Sequence, residues 1–300
     1  MLDNLNLLIQ APVLNIQLLL DGVLIGAIFA LAAYGLALVW GVMNVKNLAQ
    51  GDFVIMGGYI AYWFTKQGIH PILALPVAAV LMFGFGWACY RFIIRRVIGK
   101  DLFISLLATF GLALVVQQVL NLIFGSEVQT ADAGFKTRFL FDGQVTVSDT
   151  KFIALVLAGA LAAGVVVFMK RSRMGQSIRA TAQDARAARV LGVNTDRVYA
   201  FTFALNAAIC GAAGVLISMI WNIQPYYGIV HSIRSFIIVV FTGLGNLPGV
   251  IVTALGLGVA EQFSGFVLGA ELQVASVVCM LVLVLIWRQI QQARLRQVVE

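Results

Sequence analysis

The chain is 300 residues long, 61% hydrophobic and 11% charged, with mean hydropathy +0.96 and a formal net charge of +7. A water-soluble domain carries about 25% charged residues because its surface faces water, so this composition excludes an ordinary soluble enzyme or binding module. The positive charge sits in clusters that flank apolar runs, which fits a membrane surface and speaks against a nucleic-acid partner.

Runs of roughly 20 apolar residues match the hydrocarbon thickness of a bilayer when coiled as a helix, and helices satisfy their own backbone groups. The pattern predicts an all-α, polytopic transmembrane bundle forming a single domain over residues 1–300. A β-barrel would need alternating segments of about ten residues, and none are evident. Residues 1–17 hold no Lys or Arg and no small-residue cleavage site, so the first apolar run, 16–42, is expected to act as its own insertion signal. A polar, Gly-containing break follows, with Asn44, Asn47, Gln50, Gly51 and Asp52, and then a short apolar segment at 52–64. Full spans are predicted at 72–94 and 102–124, separated by Arg91, Arg95, Arg96 and Lys100; the positive-inside rule makes that turn cytoplasmic. The mixed-charge loop 125–151 is expected on the opposite side. A span at 152–169 returns to a cytoplasmic loop, 170–197, rich in arginine.

Further apolar segments lie at 198–220, 233–242, 250–268 and 272–287, before the basic group Arg288, Arg294 and Arg296. Counting only the full-length segments after residue 220 puts that basic end on the wrong side. The conflict falls where Gly243, Gly245, Pro248 and Gly249 interrupt the run, and a helix broken there resolves it at about eight or nine spans. Two such breaks, at 44–52 and 243–249, suggest an inverted repeat around a central path; the plain alternative is a turn and a packing kink. Small residues at helix-contact spacing, Gly22 with Gly26, Ala207 with Gly211, Gly245 with Gly249 and Gly265 with Gly269, point to close packing. The intramembrane polar residues Asp21, Asp52, Arg234 and Glu261 are candidates either for function or for ion pairing and capping. The cysteines Cys89, Cys210 and Cys279 show no ligand spacing, so no metal site is expected.

The cytoplasmic stretch 175–194, GQSIRATAQDARAARVLGVN, reads as a helix capped by Gly192. Its stripe of Ile178, Ala182, Ala185 and Ala188 is too thin to anchor in lipid. A shallow protein groove suits it better, with Arg179, Gln183 and Arg186 alongside for polar partners; a solvated basic linker is the alternative.

In this stretch Arg179-Ala180, Asp184, Ala187-Ala188 and Gly192-Val193-Asn194 occur in order, followed by a small-residue helix from Phe203 to Val215. Downstream, 243–249 reads Gly-Leu-Gly-Asn-Leu-Pro-Gly, with Gly258 and Glu261 beyond; upstream, 47–52 reads Asn-Leu-Ala-Gln-Gly-Asp. Together these motifs, spread from about residue 22 to 287, resemble the permeases of branched-chain amino acid ABC transporters, the LivH/LivM type. Thr242 stands where that pattern usually has Gly, Gln50 where it has His, and Asp52 where it has Glu.

The resemblance implies an importer permease in the bacterial inner membrane. Its partners would be a second, LivM-like permease or a second copy, two cytoplasmic ABC ATPases and a periplasmic solute-binding protein. It also implies that the cytoplasmic loop docks on the ATPase through Arg179, Gln183, Asp184, Arg186, Arg189 and Gly192. The breaks at Asn47, Gln50, Gly51, Asp52, Gly243, Gly245 and Gly249, with Glu261, are expected to line or gate the path. No Gly-x-x-x-x-Gly-Lys-Ser/Thr loop is present, so ATP would be used by partner subunits and no cofactor is expected on this chain. The other readings are an ion-coupled secondary transporter of a small polar solute, and a permease of the same family for urea, amides or aromatic acids. A membrane enzyme would need a nucleophile–base pair or clustered carboxylates or histidines, and no such set is evident.

Overall fold

The computed structural model describes residues 4, 7–8, 10–140, 145–243, 246–269 and 272–297. Helix α1 (Pro12–Met43) is apolar all round, and such a helix belongs in the middle of a bundle. It is accordingly the most buried of the long helices. It ends on Asn44, whose left-handed backbone lets its N–H close on the Trp40 carbonyl. Residues 44–49 then run back beside α1 into α2 (Gln50–Lys66), so that the Gln50 side chain meets the carbonyl of Ala32, about three turns before the end of α1.

Helix α3 (Pro71–Val97) is followed by α4 (Leu102–Phe124). The last turns of α3 include a π-helical stretch, Tyr90–Ile94, which turns Tyr90 onto Asp196 (2.7 Å) beside Arg95 (3.2 Å). Two short strands, β1 (Thr137–Leu140) and β2 (Val145–Ser148), pair antiparallel in the next loop. Then come α5 (Asp149–Arg171), α6 (Arg173–Gln183), α7 (Ala185–Val190) and α8 (Thr195–Ser218). A 3-10 turn at Pro225–Tyr227 leads into α9 (Gly228–Thr242), and α10 (Leu247–Leu268) and α11 (Gln273–Gln297) complete the described chain.

Among the described residues seven helices are long and apolar enough to span a bilayer; α2, of 17 residues, and the apolar Ala275–Ile290 within α11 bring the bundle to nine. Loop and hairpin contacts sort the helix ends into two sides. Near the start of α1, Gln17 exchanges two hydrogen bonds with Thr146 of β2 and Asp21 accepts from Lys151 (2.7 Å), which places that end on the side of the hairpin. The other end of α1 lies against α6 on the basic side.

The parity conflict has a simpler solution than a broken helix. Helix α9 with its 3-10 turn is continuous over Pro225–Thr242 and makes the missing crossing. The sequence reading cut it short because its first half is polar, yet His231, Ser232, Arg234 and Ser235 are all buried while Ile229 and Phe241 are exposed. The helix presents its polar stripe to protein and its apolar stripe to lipid, the inverse of a soluble helix. The described residues of the expected break at 243–249 cap two separate helices. Gly243, at φ +88°, caps α9, and the Asn246 side chain caps α10 by accepting from Gly249 N–H (3.1 Å). Nearby, Arg288 donates to the Val240 carbonyl. Gly245 falls outside the described residues.

An inverted repeat is present, with different partners from those expected. Helix α1 packs on α10 as α8 packs on α3, α1 meets α9 as α8 meets α2, and α4 touches α2 as α11 touches α9. Helices α1–α4 therefore correspond to α8–α11 with opposite sense, and the counterpart of the break at 44–49 is residues 219–227. Close approach sets these contacts: a Cβ on Gly22 would lie 2.5 Å from Val259 Cα of α10, and one on Gly211 2.6 Å from Met82 Cγ of α3. The pair Gly265 and Gly269 plays another part, since Gly269 caps α10 with φ +94°.

Candidate functional site

The two breaks bring the N-termini of α2 and α9 together inside the protein. Gly51 N–H donates to Ser232 Oγ (2.8 Å), which in turn donates to the Leu48 carbonyl (2.8 Å). A side chain at Gly51 would occupy the Gly228 carbonyl oxygen, so only glycine permits this crossing. Non-helical backbone at this depth survives because protein surrounds it and its polar groups are satisfied.

Around that crossing lies a polar knot. Gln50 and Asn206 exchange two hydrogen bonds of 3.0 Å, and Gln50 also donates to Ala32 O (2.8 Å). Asn47 Oδ1 accepts from Ala49 N–H (3.2 Å), and Asp52 Oδ1 accepts from Gln117 of α4 (2.8 Å). Asn47 and Gln50 are 0% exposed and Asp52 1%. These residues face the interior of the chain and tie α1, α2, α4 and α8 together. Replacing Gln50 by leucine orphans the Asn206 amide, and an unsatisfied buried polar group costs about 1–3 kcal/mol. Thermal unfolding of Gln50→Leu in detergent is expected to show that loss, with Gln50→His, which keeps a donor, milder.

Glu261 and Gly243, expected along the same path, separate. Glu261 forms a bidentate pair with Arg234 of α9, through Nε (3.0 Å) and Nη2, and accepts from Gln273 (3.3 Å). The guanidinium lies 4.9 Å from the Phe29 ring centre and 5.1 Å from that of Trp221, which stands in the second break. Pairing and aromatic faces together account for a buried arginine. Arg234, Phe29 and Trp221 were not joined by the sequence reading, since α1, the break at 219–227 and α9 meet only in the fold.

The arginine-rich loop 170–197 holds two helices where the sequence pattern suggests one. Asp184 leaves helical geometry and caps α7 by accepting from Arg186 N–H (2.7 Å) and Ala187 N–H (3.0 Å). Those donors hold its carboxyl below the ordinary value, so the charged cap is complete above the usual carboxylate range and is lost as pH falls through the lowered pKa. Gly192 ends α7 with φ +87°, as anticipated. The thin stripe does not face outward: Ile178 and Ala188 are buried against the protein itself, and only Ala182 is exposed. Arg179, Gln183 and Arg186 are exposed, whereas Arg189 is held by Thr195 Oγ1 (3.0 Å) at the start of α8. The outward apolar groups are Val190 and Leu191, 87% and 82% exposed. Sequence periodicity missed them because they sit in the terminal turn of α7, beyond the regular face. Among the described residues there is no cluster of His, Cys, Asp or Glu able to hold a metal.

The described residues thus form a bundle of membrane-length helices with inverted halves, a sealed polar crossing and an exposed apolar knob on the basic side. The family model for the permease component of branched-chain amino acid transport systems matches residues 18–287. The chain belongs to this family. The permease is 30% identical over 287 residues to the high-affinity branched-chain amino acid transport system permease protein LivH of Salmonella typhimurium strain LT2, covering 90% of this chain and 92% of the relative. It is equally similar to LivH of Escherichia coli K12, at 30% with the same coverage. BraD of Pseudomonas aeruginosa is 29% identical, over 91% of this chain and 94% of its own length. A multi-pass transport permease of this family is at odds with the stand-alone ion-coupled transporter.

Proposed function

We propose that this permease forms half the translocation pathway of an ABC importer for branched-chain or related amino acids in the bacterial inner membrane. The other half is a LivM-like permease or a second copy. Two cytoplasmic ATPases hydrolyse ATP on its behalf, since the chain has no phosphate-binding loop of its own, and a periplasmic binding protein presents the solute. No cofactor is bound by this chain.

The observation that carries the reading is the Val190–Leu191 knob on the cytoplasmic side, in a loop that also exposes Arg179, Gln183 and Arg186. Two large apolar side chains this exposed beside arginines are suited to a shallow groove on a partner. Arg189 joins the knob to α8 through Thr195, and the contact of Tyr90 and Arg95 with Asp196 joins the same turn to α3. Motion of an ATPase pair would thus pass into both halves of the repeat. The polar crossing at Asn47, Gln50, Gly51 and Asp52 acts as the hinge on which α2 and α9 move. Gly243 and Gly249 serve the cytoplasmic turn, and Glu261 anchors α10 to α9.

Leu191→Asp places a charge where the docked interface is driest. Loss of ATPase co-purification and at least about a tenfold fall in uptake are expected, since ~1.4 kcal/mol is tenfold and a centrally buried anchor is worth 2 or more. Arg186→Glu should act in the same direction. Full ATPase retention and normal uptake in both variants would overturn the docking role.

A further inference from the structure

On the cytoplasmic side two clefts of about 450 and 330 Å³ adjoin, sharing Met169 and Arg179 in their walls. They run between the end of α1, the end of α5, α6 and the start of α10. Their walls are largely apolar, with buried Leu38 and Tyr34 beside Val166 and the more exposed Ile251. Their mouth is cationic. Lys170 and Arg179 both line it and are exposed, and neither has a carboxylate within ion-pair distance among the described residues. A third cation, Lys46, stands 5.0 Å from the ring centre of Trp40, which lines the larger cleft.

An apolar slot beneath unpaired cations, at the level where basic residues mark the cytoplasmic face, has the polarity of an inner-leaflet phospholipid. A free phosphate would satisfy the rim and leave the apolar depth unfilled. We propose that this groove seats one anionic phospholipid of the cytoplasmic leaflet, its headgroup on Lys170 and Arg179 and its acyl chain against α1 and α10. Because Arg179 belongs to α6, the bound lipid ties the ATPase-docking loop to the membrane-embedded helices. The site depends on the cytoplasmic placement of α6 and on no particular solute.

Native mass spectrometry of the intact transporter tests this, with phosphatidylglycerol and phosphatidylcholine offered together in mild detergent. Wild type is expected to retain one phosphatidylglycerol in preference to phosphatidylcholine, and millimolar inorganic phosphate should leave it in place. Lys170→Gln removes one rim charge, worth about a fivefold loss of retention. Gly41→Leu fills the slot without touching a charge, because a Cβ at Gly41 meets nothing within 4 Å. It should release the lipid while leaving the melting temperature unchanged. Equal retention of phosphatidylcholine, displacement by phosphate, or retention unaffected by either variant would overturn the site. So would release of the ATPase by Gly41→Leu with lipid retention unchanged, which would show that the groove seats protein.

Discussion

Alanine at Gly51 or at Gly228 is expected to destabilise the permease sharply. A Cβ on Gly51 would sit 1.8 Å from the Gly228 carbonyl oxygen and 2.6 Å from Ser232 N; one on Gly228 would sit 2.1 Å from Asp52 Oδ1. The obstacles at Gly51 are backbone atoms, which cannot rotate away, and the helix ends they belong to are pinned by Ser232 and Leu48. Overpacking a tight site costs typically 1–3 kcal/mol and sometimes more, and here the upper end applies. At ~3 kcal/mol the melting temperature falls by about 6–12 °C. Gly84→Ala and Gly256→Ala serve as controls, since a methyl at either meets nothing within 4 Å. A Gly51→Ala protein that melts with the controls would mean that α2 and α9 do not cross as described.

Arg234→Met should be at least as damaging, for a different reason. It strands Glu261, 1% exposed, without its cation, and breaking a buried pair by removing one member costs about 3–5 kcal/mol. Exchanging both members for apolar residues is often neutral, because neither charge then needs desolvating. The double variant Arg234→Met/Glu261→Leu is therefore expected to recover most of the lost melting temperature. Additive losses, with the double worse than either single, would contradict a pair that acts as a unit. Uptake by the stable double variant then separates packing from transport. If the pair only packs, uptake recovers with stability; if it positions the break at Trp221, uptake stays low while the protein melts normally.

Much of the architecture was written in composition and charge. Apolar length located most spans, and the arginines of 91–100 and 170–197 fall together on one side of the bundle. The count of about eight or nine spans also held, but the reasons for its uncertainty lay in particular residues. His231, Ser232, Arg234 and Ser235 made α9 look too polar to cross, because hydropathy registers side chains and cannot see that Ser232 meets Leu48 and Gly51 while Arg234 meets α1 and α10. Gly243 and Gly249 looked like a broken span for the opposite reason: a turn built from glycine, asparagine and proline has the same letters at the membrane edge as in its middle. The match between 44–49 and 219–227 was hidden, since the two breaks share geometry rather than residues. In the loop 170–197, Gly192 was legible as a cap, while Asp184 was not read as a cap that divides the helix. Val190 and Leu191 became visible as a knob only once Ile178 and Ala188 were seen to face inward.

Uptake by purified components in proteoliposomes bears most directly on what the permease does. The chain is combined with its second permease, the two ATPases and the binding protein, and accumulation of labelled leucine is followed. Uptake is expected only with ATP on the ATPase side and the binding protein on the other, and it should be abolished by Leu191→Asp. Uptake by this chain alone under a proton or sodium gradient, indifferent to ATP, would contradict the importer reading.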